Sequence, residues 1–89
     1  MEDIGKILEE RGNNYGDYKG NAILRSRIMH LIKERYYDIH NHDMPLLYET
    51  YIYDVVTKLS RIAVTPRHLD SWVDVLGYSK LIIEEMDCV

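Results

Sequence analysis

Apolar residues recur along this chain at a spacing near 3.6, and nothing alternates with period two over a useful length. The pattern predicts four helices. In EDIGKILEERG, Ile4, Ile7 and Leu8 share a face, Asp3 can cap the start, and Gly12 can end the helix in a left-handed conformation. After the loop GNNYGDYKGN, Asn21 can cap a second helix, AILRSRIMHLIKERYYDIH, on which Ala22, Ile28, Met29, Ile32, Tyr36 and Ile39 recur at helical spacing. NHDMP breaks the chain, with Asp43 as a cap and Pro45 suited to the first turn of a third helix. That helix, LLYETYIYDVVTKLSRIAV, places Tyr48, Ile52, Val55, Leu59 and Ile62 on one stripe. TPRHL breaks the chain again, and the last helix, DSWVDVLGYSKLIIEEM, is expected to carry Leu69, Trp72, Val73, Leu76 and Ile83 inward. The fold expected is all-α: one domain over residues 1–89, a compact bundle of about four helices joined by short loops.

Charges interrupt this pattern where the third and fourth helices should meet. Asp54, Lys58 and Arg61 form one stripe beside the apolar one, and Asp70, Asp74 and Tyr78 form a row on the next helix. A short connection makes the two helices antiparallel neighbours, so Lys58 or Arg61 can meet Asp70 or Asp74 across the seam. Two readings follow. The four charges are either a partly buried salt-bridge network that sets helix register, or the lining of a polar pocket. In the pocket, the basic groups accept phosphate and the aspartates hold a base, a ribose or a metal. The loop ERGNNYGDY suits either a connector or a ligand loop, because its glycines allow close backbone approach and its tyrosines can stack on a base.

Composition narrows the field. The net charge is −4, and no basic field covers the molecule, which argues against nucleic acid as a partner. Arg25, Arg27, Lys33 and Arg35 make the second helix the most basic segment, in keeping with a solvated face. Eight tyrosines, one tryptophan and no phenylalanine favour partly exposed surfaces, interfaces or pockets. Tyr48, Tyr51 and Tyr53 cannot all face one core. With no apolar run long enough for a membrane span, a charged N-terminus and a single cysteine, Cys88, the expectation is a cytoplasmic protein without membrane contact. No catalytic constellation stands out: Ser60, Ser71 and Ser79 lack a nucleophile elbow, and HNHD at 40–43 reads as a solvated turn.

Three stretches in order, ERGNNYGDY, KLSRI and DSWVDVLGY, resemble a family of small all-α domains encoded by bacteriophages and prophages, with the pattern E-R-x-x-x-Y-G-D-[YF], K-x-x-R-I, D-S-x-x-D-x-x-G-Y. The motif order is also similar to phage domains associated with nucleotide modification and, more loosely, to MazG-like all-α nucleotide pyrophosphohydrolases. The resemblance implies that Arg11, Tyr15, Gly16, Asp17, Lys58, Arg61, Asp70, Asp74 and Tyr78 carry a shared function. The leading expectation is a non-catalytic protein that binds a nucleotide or nucleotide-derived signal, such as a host immune messenger. Arg11, Lys58 and Arg61 would hold phosphates, Tyr15, Tyr18 or Tyr78 would stack on a base, and a homo-oligomer would form pockets at subunit interfaces. MazG-like enzymes instead hold magnesium on an E-x-x-E arrangement answered by E-x-x-D. Glu34 and Asp38 lack partners at that spacing, and Glu49 and Asp54 fall on different faces. A magnesium-dependent alternative would rest on Asp54, Asp70 and Asp74. A third reading is a helical module that masks a host protein, with Tyr36, Tyr37, Tyr48, Tyr51 and Tyr53 as anchors.

Overall fold

A computed structural model describes residues 3–87, except for the side chains of 12–15; Cys88 lies outside the described residues. Four helices follow one another: α1 (Ile4–Tyr15), α2 (Tyr18–His40), α3 (Leu46–Val64) and α4 (Leu69–Asp87), with no strand among the described residues. The all-α bundle with short connections is therefore as the periodicity indicates.

The helix ends show how local chemistry decided each break. Asp3 caps α1 by accepting the Lys6 N–H at 3.3 Å. The helix does not stop at Gly12 but continues to Tyr15, and the left-handed residue is Gly16, with φ 83°. Asp17 follows in an extended conformation and caps α2, its carboxylate accepting the Gly20 N–H at 2.7 Å. Asn21 is thus inside α2 rather than at its start, because the reversal at Gly16 hands the cap to the next acidic residue. At the far end of α2, Asn41 takes a left-handed conformation (φ 59°) and donates its N–H to the Tyr37 carbonyl at 2.8 Å. Asp43 does not cap α3. Pro45 occupies that position without a side-chain bond, and its missing N–H leaves one donor fewer to satisfy. Between α3 and α4, Thr65 donates to the Arg61 carbonyl, and the Trp72 indole N–H reaches back to the Pro66 carbonyl at 2.8 Å.

α3 is the central helix. α2 and α4 flank it, and the α1–α2 turn closes against its C-terminal end. That last contact requires glycine: a Cβ on Gly16 would lie 2.7 Å from Val64 Cγ2, at a φ that L side chains rarely adopt. The buried apolar residues are Met29, Met44, Val56 and Ile62, joined by two serines, Ser60 and Ser71. Each serine keeps its hydroxyl bonded locally, Ser60 donating to the Thr57 carbonyl at 2.7 Å and Ser71 meeting His68 Nδ1 at 2.8 Å. Small side chains with satisfied hydroxyls allow close backbone approach at these points.

α4 is rotated relative to expectation. Leu69, Trp72, Val73, Leu76 and Ile83 do not face inward; they are 48% to 71% exposed. Ser71, Val75, Tyr78 and Ile82 are the more enclosed positions. The rotation turns the buried serine Ser71 and the ion pair described next toward α3, neither of which an apolar stripe reveals.

Candidate functional site

The α3–α4 seam holds the charges that the sequence placed there. Lys58 Nζ sits 2.9 Å from Asp74 Oδ2, with the lysine side chain only 14% exposed and the aspartate 46%. The lysine is therefore largely desolvated, while its partner keeps one side in water. Asp54 is half-buried one turn before Lys58. Arg61 is half-buried one turn after it and is itself engaged. Asp70 is exposed in the first turn of α4.

Above this pair is a hollow of about 340 Å³, lined by Lys58, Val73, Asp74, Gly77, Tyr78 and Leu81. Gly77 forms its floor in the middle of α4. A Cβ added there would meet nothing within 4 Å, so no neighbouring side chain requires glycine at this point. Glycine inside a helix costs about 1 kcal/mol relative to alanine, and here no packing contact inside the protein offsets that cost.

The other expected residues stand apart from this hollow. Arg11 is exposed on α1, and Tyr15 closes that helix with its side chain outside the described residues. Tyr18 opens α2 and is 80% exposed, with the Arg25 guanidinium 5.7 Å from the centre of its ring. Asp17 serves as the α2 cap and Gly16 as the docking turn. The structure therefore gathers Lys58, Asp74 and Tyr78, and does not bring Arg11, Tyr18, Arg61 or Asp70 into the hollow they line.

Two further features escaped the sequence pattern. Between α2 and α3 is an acid-lined hollow of about 710 Å³, to which Glu34, Asp38, Asp43 and Glu49 contribute. Glu49 pairs with Lys33 at 3.2 Å, and Glu34 with His30 at 3.3 Å. The i, i+4 spacing of Glu34 and Asp38 is visible in the sequence, but their approach to Glu49 depends on the reversal at Asn41. On the opposite side, Ile28, Ile32, Tyr48, Ile52, Leu59 and Met86 help line a trough of about 480 Å³ between α2, α3 and α4, with no charged residue among its walls. Tyr48 and Tyr53 are exposed and Tyr51 is half-buried, so the three tyrosines do divide between environments. Burial raises the Tyr51 phenol above its ordinary pKa, with Glu85 and then Tyr48 adding to the effect.

At HNHD, the His40 and His42 rings gather against Tyr36, with centroids 4.1 and 5.6 Å from its ring, and His42 Nδ1 bonds the Asp43 carbonyl. Among the described residues, no group of three or more His, Cys, Asp or Glu side chains is placed to hold a metal ion, and no helix is long and apolar enough to cross a membrane. In comparisons with protein-family models, curated proteins and solved structures, the chain matches none.

Proposed function

We propose that this chain binds a nucleotide or nucleotide-derived signal, without turning it over, in the hollow above Gly77. The observation that carries the reading is the unpacked glycine itself: bare helix backbone opens to solvent beside an ion pair and a tyrosine. A flat ring can lie against that backbone and stack on Tyr78. Lys58, already oriented by Asp74, offers its ammonium to a phosphate, and Asp74 accepts from a sugar hydroxyl or base amino group. Under the phage resemblance, the setting is the host cytoplasm and the ligand class an immune messenger.

The test is calorimetric titration of mono-, di- and cyclic dinucleotides into the wild-type chain and Gly77→Ala. An added methyl group raises helix stability by about 0.5–1 kcal/mol yet fills the floor of the site, so the variant is expected to melt later and bind at least tenfold more weakly. Mass analysis of the recovered ligand should return it intact. If no nucleotide binds or shifts the melting temperature, the reading fails.

The second reading, a helical module that masks another protein, is favoured by the uncharged trough and the exposed tyrosine Tyr48 on its wall.

A further inference from the structure

The protomer exposes more surface than a folded chain of its mass should. Its accessible area is 7146 Å², whereas the scaling of surface with mass gives about 5,500 Å² for a monomer of 10.6 kDa. The excess is roughly 1,700 Å² per chain. Its radius of gyration is 15.5 Å, against about 12 Å for a globule of this length. The apolar core is correspondingly small: among the described residues Met29, Met44, Val56 and Ile62 are the buried apolar side chains, and Val56 is the largest of them that is fully enclosed. Folded domains are built from packed layers around a shared core. Here α2, α3 and α4 leave the wide apolar side of α3 open as the trough.

We infer that a second copy of this chain covers the trough, forming a twofold dimer with α3 at its centre. Three observations select this occupant. The excess area is of the size a protomer buries in an obligate dimer, about 1,000–2,500 Å² per chain, and about twice the roughly 800 Å² of a standard-sized interface. A chain with so small a core needs its cover whenever it is folded, and another copy is the partner present from synthesis onward. The trough is also suited to meeting itself. A twofold axis brings like against like, and walls of Ile28, Ile32, Ile52, Leu59 and Met86 place no charge opposite its own kind.

The trough is distinct from the hollow over Gly77, so ligand binding and assembly can be broken separately. The experiment is sedimentation equilibrium of the full chain at low micromolar concentration, with melting followed over a hundredfold range of concentration. The wild type is expected at the mass of two copies, with a melting temperature that rises with concentration. Leu59→Glu, at an exposed position of the protomer, should reduce the mass to one copy, or unfold the chain if folding requires the dimer. Leu76→Glu, at a leucine still more exposed (71% against 37%) but outside the trough, should leave two copies. A wild-type chain that sediments as one copy and melts independently of concentration overturns the inference, leaving the trough to a different protein. A dimer broken by Leu76→Glu and not by Leu59→Glu overturns it too, since the contact would then lie on the outer face of α4.

Discussion

The seam between α3 and α4 and the trough beside it share those two helices, yet the seam is bridged and the trough, which α2 also walls, is open. At the seam, Ser71 is fully enclosed and Lys58 reaches Asp74 across 2.9 Å. In the trough, Tyr48, Ile52, Leu59 and Met86 are large side chains without a facing layer. A helix pair closes where its side chains are small or ionically matched. Where they are bulky and apolar, it waits for a third body. Apolar residues therefore mark where this protein is incomplete, while a serine and a salt bridge mark where it is finished.

The comparison breaks first at its closed end. Val56→Asp places a carboxylate without a partner in the most enclosed apolar position, at a cost of several kcal/mol. Circular dichroism should show loss of a cooperative thermal transition. Next come the two halves of the ion pair, which should differ. Asp74→Asn leaves a lysine that is 14% exposed without its carboxylate and should cost about 2–3 kcal/mol, below the range for fully buried pairs because Asp74 itself is half in water. Lys58→Met leaves an aspartate that water can reach, and should cost about 1 kcal/mol by denaturant titration. Equal losses would mean the seam is more open than its geometry indicates. The smallest effect is on the trough side. The Tyr51 pKa is raised above its ordinary value of 10.0 in the folded state. Stability from this group is thus fully present below pH 10.0 and is lost as pH rises through the higher folded value. Phenolate absorbance should show one late-titrating tyrosine, and Tyr51→Phe should remove it.

Much of the fold is legible in the sequence because its punctuation is strong. Pro45, Pro66 and the Gly16–Asp17 pair each disfavour continued helix for a separate reason, and the breaks fall beside them. The caps were harder to read. Asp17 and Asn21 both qualify by residue type, and the choice turns on where the backbone reverses, which Gly16 decides. The Lys58–Asp74 pair was readable from helical spacing and a short connection, whereas the rotation of α4 was not. An apolar stripe from Leu69 to Ile83 ordinarily faces inward, and here it is outcompeted by Ser71, a residue that hydropathy counting ignores. Gly77 looked like part of a motif; only the empty space above it distinguishes it from a packing glycine.

The contact of Gly16 with Val64 also sets an order of events during synthesis. The turn that ends α1 leaves the ribosome about fifty residues before the valine against which it rests, and domains generally fold as units. α1 is made before α3 and has no seat against it until that helix is complete. Translation must pass the end of α3 before α1 can be put in place.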